Sequence, residues 1–449
     1  MEERKRVLII TYYWPPSGGS GVQRWLKFTK YLRDFGWEPV IYTPDNPEFM
    51  SVDNTLEAEI PQGVQIIRRE IMEPYSLYKM FTGKKGKSIK PGFITGGGSG
   101  AGAVPLKEKI SLFIRSNLFI PDPKCMWIGP SAGFLKKYLR ENPVDAIVST
   151  GPPHSMHLIA KRVAKSTGIP WLADFRDPWT KMYNFKYMRY SAPVRYIHSL
   201  LEKRVVTKAS AVLTVTDTIA RELQDVRDLT NIVYARQRLS RVEVITNGYD
   251  HTDFADGVTE PDKEFTITYT GLFVKTQNPA VLWKVLGEKV KADSSFAASL
   301  KIKLIGHSDG AIHDDIHSNG LWENLEQFDY MSHDKITQVQ RNSQILLLSG
   351  GMEPESRGIL TGKFFEYLAA RRPILGFGPK GGDMDIALNE CEAGEMFDYG
   401  DEAGCCRWIE QRYAEYLAGR VEPVFGNIEQ YSRKALTGKL ANMLDRMVG

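Results

Sequence analysis

Cysteine is nearly absent. Cys125, Cys391, Cys405 and Cys406 are the only four in 449 residues, with no C-x-x-C spacing, and the adjacent pair is badly placed to bond to itself. A disulfide framework is therefore excluded and a reducing cytosol fits best. Long apolar runs are missing as well. No uninterrupted stretch reaches the ~18 residues of a membrane span, and the first apolar segment runs only about six residues before Trp14-Pro15-Pro16, too short for a signal peptide core. The chain is expected to be cytoplasmic, soluble or peripheral at a membrane face. Charge of one sign is not in large excess either: 58 Lys and Arg stand against 54 Asp and Glu, a net +4. That is too slight for a general nucleic-acid binder, so any basic surface must be local. What is present is a hydrophobic content of 42%, enough for two or more domains with substantial cores.

Short apolar strands alternate with amphipathic helices. Residues 7–10 and 39–43 read as strands around a helix that follows the Gly/Pro loop 14–21. Residues 82–105 are small and basic and read as a mobile loop. Strands are then predicted at 145–150, 171–175, 211–215 and 242–246, with helices at 130–141, 154–167 and 193–208. A polar stretch at 250–263 is the best linker candidate. Strands at 265–270, 300–305, 325–330, 345–348 and 373–377, with helices at 278–291, 332–342 and 361–370, make a second set. Two doubly wound α/β domains are implied, roughly 1–255 and 264–425. Ligands of such sheets bind at the carboxyl ends of the strands.

The most telling run is Gly358 to Gly378. A turn feeds a helix whose start, Thr361 and Gly362, offers free N–H groups, and Lys363 adds a full charge, so an anion such as a diphosphate fits. Glu366, one turn on, shares the face and can accept from ribose hydroxyls. The Walker spacing fails, and an ordinary α/β unit is the plain alternative. Here the chain resembles the group-1 retaining glycosyltransferases, family four, of the GT-B fold, whose second domain has a nucleotide-binding Glu on such a helix before a strand opening with Pro. The resemblance implies a final segment, 426–449, returning to the first domain.

It also gives the remaining motifs their meaning. In the loop 14–21, Gly18 and Gly19 permit close backbone approach to the donor diphosphate or the acceptor, or serve a plain turn. Arg24 either binds an anion or lies on a solvated face. Ser149-Thr-Gly-Pro-Pro-His-Ser155 puts His154 at a strand end as a substrate-contacting imidazole. His157 follows at helical spacing, but no third metal ligand is evident and no metal is expected. Asp174, Arg176 and Asp177 at the next strand end either bind acceptor and orient His154, or form a local ion-pair network. Thr246 to Asp250 resembles the family's Asn-Gly-x-Asp turn. Leu272 and Phe273 stand where the family usually has a diphosphate-binding Arg, leaving Lys275 as the remaining cation. Asp329-Tyr330-Met331 falls where the family reads the nucleobase, and Tyr330 could stack on it. The family's paired carboxylates, seven residues between them, map to Gly358 and Glu366, so the first is missing unless Glu353 or Glu355 replaces it. Asp383 and Asp385 read as a helix cap. The segment 106–120 reads as an amphipathic stretch for anionic membrane or a lipid-linked acceptor, or as a core-facing helix.

The resemblance implies transfer of a sugar from a nucleotide-sugar donor to a saccharide or lipid-linked saccharide, in cell-surface polysaccharide synthesis, without a cofactor. His154, Lys363 and Asp177 are the expected catalytic groups. A noncatalytic glycan-binding scaffold and a sugar-nucleotide epimerase of the same architecture are the alternatives.

Overall fold

The computed structural model describes residues 4–47, 52–71, 113, 116–182, 185, 188–234, 241–254, 260–329, 331–419 and 425–449. The loop expected at 82–105, most of the segment 106–120, and Tyr330 lie outside them.

The chain divides into two compact units, Met1–Thr246 with Leu436–Gly449, and Asn247–Ala435. The first is built on a seven-stranded parallel sheet in the order β3-β2-β1-β4-β5-β6-β7. Its strands are β1 (Lys5–Ile10), β2 (Trp37–Pro44), β3 (Gln65–Arg69), β4 (Ala146–Gly151), β5 (Trp171–Phe175), β6 (Ala211–Thr214) and β7 (Glu243–Val244). Every residue of β4, β5 and β6 is buried. Both faces of a parallel sheet are covered by helices, which is why these strands read as apolar runs instead of alternating. One face packs under the helices Ile128–Glu141, Ser155–Thr167, Ala192–Lys208 and Asp217–Tyr234. The other packs against Ser20–Leu32 and against Leu436, Leu440 and Leu444 of the last helix, Arg433–Val448.

The second unit carries a six-stranded parallel sheet, order β10-β9-β8-β11-β12-β13. These strands are β8 (Phe265–Thr270), β9 (Leu300–Ile305), β10 (Leu325–Phe328), β11 (Ile345–Ser349), β12 (Ile374–Phe377) and β13 (Gly394–Phe397). The division between units precedes the polar stretch. Tyr249 joins the second unit because its N–H donates to Tyr431 O at 3.1 Å and its carbonyl accepts from Arg433 N at 2.8 Å. The helix Asp383–Glu390 starts from Gly382 with no side-chain cap, so the cap expected of Asp383 and Asp385 is not formed; Asp385 instead accepts from Gly381 N at 2.7 Å, ahead of the helix.

Arg24 is neither solvated nor free to hold an external anion. It is 1% exposed, and its Nε and Nη2 donate to the carboxylate of Asp174, 0% exposed, at 3.2 and 3.0 Å. Trp25 Nε1 and Thr150 Oγ1 donate to the same carboxylate at 2.7 and 2.9 Å, and Arg24 Nη1 reaches Thr246 O at 2.9 Å. One buried carboxylate thus ties β4, β5 and the helix Ser20–Leu32 together. Removing it strands a buried guanidinium, a loss of roughly 3–5 kcal/mol for such pairs. Asp174→Ala should lower the unfolding free energy by that amount, seen as a lower urea midpoint by tryptophan fluorescence, and Arg24→Met with Asp174→Leu should restore most of it.

Candidate active site

In the first unit the carboxyl ends of β4 and β5 lie side by side and gather the residues singled out from the sequence. His154 precedes the helix Ser155–Thr167, whose Ser155 N–H and hydroxyl both donate to Asp122 at 2.8 Å. The His154 imidazole lies on Trp179, with centroids 4.2 Å apart and planes 2° from parallel, and Trp179 donates its indole N–H to His198 Nδ1 at 3.0 Å. A ring stack holds His154, and no carboxylate does. Asp177 is half-buried and makes no hydrogen bond among the described residues; burial raises its pKa while Arg176 pulls the other way.

Two imidazoles meet at Gly151. A Cβ there would stand 2.6 Å from His157 Nε2 and 3.1 Å from His154 Nδ1, so only glycine fits. Trp171 Nε1 donates to Ser149 Oγ at 2.8 Å, and the same oxygen lies 2.8 Å from His157 Nδ1, while His157 Nε2 is buried with no partner among the described residues. Burial lowers the His157 pKa to about 3, which keeps the ring neutral. His154 Nδ1 is buried without a partner. A bare lone pair is less costly there than an unpaired N–H, so the His154 hydrogen sits on Nε2. Burial, followed by His157, His198 and Arg176, holds its pKa well below the ordinary value. His154 is a neutral hydrogen-bond donor. Among the described residues no group of three or more His, Cys, Asp or Glu is placed to hold a metal.

Arg176 donates from Nη1 to Gly21 O at 2.8 Å and from Nη2 to Pro152 O, joining the start of the helix Ser20–Leu32 to the His154 loop. That helix begins after Gly18 and Gly19, with Gly19 at φ 91° and no side-chain cap. Asp174 is sealed from solvent and positions this group without reaching its surface.

The second unit assembles a separate constellation at the end of β8. Lys363 Nζ donates to Tyr269 Oη and to Leu272 O at 3.3 Å, and lies 4.0 Å from the Tyr269 ring centre. Burial lowers its pKa to about 8, with Glu366 acting against the shift. Tyr269 stacks on Phe273, 3.8 Å between centroids, so Phe273 is a core residue, whereas Leu272 is 58% exposed. Thr361 opens the helix Gly362–Ala370 but makes no capping bond, and its hydroxyl is buried without a partner. No acidic residue lies in the first turn, leaving the helix start electrostatically open to an anion. Glu366 accepts from Gln340 Nε2 at 3.2 Å, and the same nitrogen reaches Thr270 Oγ1 at 3.2 Å. Gln340 was not singled out from the sequence. Its signal was a polar residue on the same helix face as Ile336 and Thr337. Lys275 is exposed on the turn Lys275–Gln277 and pairs with no acid among the described residues. Tyr269 Oη donates to Leu272 O at 2.8 Å and lies 3.3 Å from Gln277 Oε1, which brings that turn beside Lys363.

Gly271 and Gly306 end β8 and β9 with φ of +97° and +105°, and a Cβ on Gly306 would meet Gly271 O at 2.7 Å. Beside them a cavity of about 360 Å³ is lined by Gly306, His307, His313, Gln327, Phe328 and Asp329, next to the position where nucleobase reading was expected. Gly358 is buried at the end of the turn Pro354–Gly358 and supplies no carboxylate; Glu353, ahead of that turn, is exposed.

Two parallel, helix-covered sheets of seven and six strands define the GT-B class, and solved structures agree in fold. A glycosyltransferase from Rickettsia africae superposes with a TM-score of 0.57 at 14% identity, over 100% of this chain and 99% of that one. Anabaena HepE, solved with UDP-glucose, gives 0.56 at 12%, over 99% and 100%. A putative UDP-N-acetylglucosamine 2-epimerase from Listeria monocytogenes gives 0.50 at 8%, over 98% and 96%. By sequence, no curated protein matches. Residues 126–250, from the turn before the first basic helix to Asp250, match the glycosyl transferase 4-like domain. Over that segment the chain is similar to group-1, family-four type glycosyltransferases, and the whole chain shares their GT-B fold.

Because Lys363 loses its proton as pH rises through about 8, and only the cation attracts a diphosphate, nucleoside diphosphate affinity should be flat below that pH. Above it, affinity should fall by up to about tenfold per pH unit. Isothermal titration checks this, and Lys363→Arg should bind without the pH dependence.

Proposed function

We propose that the protein moves a glycosyl group from a nucleotide-sugar donor to a saccharide or lipid-linked saccharide, with retention at the anomeric carbon, in assembly of a cell-surface polysaccharide. The observation that carries this reading is the Lys363, Thr361 and Glu366 grouping at an acid-free helix start. Cleavage of the donor leaves an oxocarbenium-like centre and a departing diphosphate, so the largest catalytic requirement is stabilisation of that leaving group. Lys363, the N–H groups of 362 and 363, and Lys275 supply the positive potential, and no metal is needed for it. Glu366 takes the ribose hydroxyls. The cavity beside Gly306 takes the base. The acceptor hydroxyl attacks from the face that the diphosphate leaves and passes its proton to a phosphate oxygen, which balances the charge of the departing group. In the first unit, the neutral Nε2–H of His154 donates to a sugar hydroxyl, with Arg176 and Asp177 beside it for the acceptor. Among the described residues no helix is long and apolar enough to cross a membrane. We place the enzyme in the cytoplasm, at the inner face of the membrane where a lipid-linked acceptor is exposed.

Gly358, in place of the family's first carboxylate, favours one rival, a noncatalytic nucleotide-binding GT-B protein. A thermal-shift series with UDP, GDP, ADP, TDP and CMP separates the readings. One diphosphate should raise the midpoint, by about 2.7 kcal/mol of added stability at 100 times its Kd, and Glu366→Ala should remove most of the shift. Release of that diphosphate from its sugar conjugate only when acceptor is added would establish transfer. A shift without turnover would assign the noncatalytic role, and no shift at millimolar nucleotide would sink both.

A further inference from the structure

The charge of this chain is unevenly distributed. The helices Ile128–Glu141, Ser155–Thr167 and Ala192–Lys208 pack side by side over one face of the first sheet. Their sequences hold three, three and four lysines or arginines, ten in all, against two acids, Glu141 and Glu202. This is +8 on three helices of a chain whose total is +4, so everything else sums to −4. Glu202 does not offset the cations, since it is 3% exposed and accepts from Thr180 N at 3.2 Å. None of the ten forms an ion pair among the described residues. Arg162, Lys165, Arg204 and Lys208 are all exposed, and they crowd Lys161 closely enough to lower its pKa further than burial alone does. The fourth helix of that face, Asp217–Tyr234, holds two arginines against four acids and lowers its sum only to +6. Like charges crowded together cost stability, so a surface of this kind is expected to serve an anionic partner.

Apolar side chains at the edge of the same face narrow the choice of partner. Tyr196 and Ile197, in the second turn of Ala192–Lys208, are 65% and 38% exposed. Leu118 is 69% exposed on a segment fastened to the helix start, where Asn117 accepts from Ser191 N at 2.8 Å and donates to Arg189 O at 2.8 Å. Each of these crossover helices starts near the carboxyl ends of the strands and descends, so the apolar residues stand at the end of the sheet that holds His154, and the cations spread down the face below them. A broad face of parallel-packed helices, with apolar groups along one edge and cations behind, matches the layered chemistry of a bilayer interface. A single-stranded nucleic acid would call for a groove lined by successive stacking rings, whereas the exposed side chains at the edge of this face include the aliphatic Ile197 and Leu118.

We propose that this three-helix face docks the first domain on an anionic phospholipid surface, the cations meeting headgroup phosphates and Tyr196, Ile197 and Leu118 entering the acyl boundary. The His154 end of the domain then opens at the lipid surface, where a membrane-bound acceptor presents its saccharide. The inference rests on the membrane-side placement proposed above but not on the chemistry of transfer.

Vesicle sedimentation of the full chain tests it. Binding to phosphatidylcholine vesicles containing about 30% phosphatidylglycerol should exceed binding to pure phosphatidylcholine by at least about tenfold near 0.1 M salt, and should collapse near 0.5 M. Arg162→Glu with Lys165→Glu, Arg204→Glu and Lys208→Glu should abolish the preference, and Tyr196→Ser with Ile197→Ser should weaken binding severalfold without changing its salt dependence. All six positions are partly or wholly exposed, and an unchanged melting midpoint verifies folding; the two double variants, Arg162→Glu/Lys165→Glu and Arg204→Glu/Lys208→Glu, each give a partial loss if the fourfold variant is unstable. Equal binding to both vesicles, binding untouched by the reversals, or capture of duplex DNA that ignores Tyr196 and Ile197 would overturn the proposal. The nucleotide thermal shift is read separately, so failure here is distinguishable from failure of the transferase reading.

Discussion

The carboxylate of Asp174 is the constraint on which the first domain's active end depends. A sealed anion accepting from Arg24, Trp25 and Thr150 leaves β4, β5 and the helix Ser20–Leu32 almost no freedom to slide against one another. Everything at the surface above it inherits that rigidity. Arg176 spans from Gly21 to Pro152 because those two backbones are already at fixed separation, and the cradle of His154 follows from the same placement. A group sealed from solvent can therefore decide how the groups nearer the surface are aimed.

The two domains use opposite strategies with their polar groups. In the first, the ring nitrogens are desolvated and neutral, and the histidines behave as fixed dipoles: His157 by its hydrogen bond to Ser149, His154 by its stack on Trp179. In the second, the groups at the end of β8 stay responsive. Among the described residues Lys363 rests on a tyrosine ring and oxygen with no carboxylate bonded to it, and the Thr361 hydroxyl has no partner. Dipoles that need not reorganise suit contact with neutral hydroxyls, while an incompletely neutralised cation suits an anionic ligand.

Much of the architecture was legible in the sequence. Strands 171–175, 265–270 and 300–305 were located to the residue, because short segments rich in aromatic, aliphatic and β-branched residues stand out between polar turns. The edge strands Gln65–Arg69 and Gly394–Phe397 were not, since a half-covered edge with Arg68, Arg69 or Glu395 has no such run. The helix Asp217–Tyr234 escaped notice for a related reason: its acids and arginines obscure a buried stripe of Ile219, Ala220 and Leu223. At the site, Lys363 and Glu366 were legible because their spacing is local. Asp122, Trp179 and Gln340 were not, since each acts on a partner far along the chain or on a neighbouring element. Arg24 and Asp174 were seen, but a charge at a strand end reads the same whether it faces water or another helix.

The last helix, Arg433–Val448, bears on the order in which the molecule can be completed. Leu436, Leu440, Ala441, Met443 and Leu444 fill the same core as Val7, Ile9, Trp25 and Trp37. During synthesis the opening strands emerge hundreds of residues before the side chains that cover that face, and the whole second domain is made in the interval. The domain that begins first is thus the one that finishes last. Until residues 436–444 have left the ribosome, the part of that sheet face not covered by the helix Ser20–Leu32 stays open, and a nascent chain in that condition is a natural client for a chaperone.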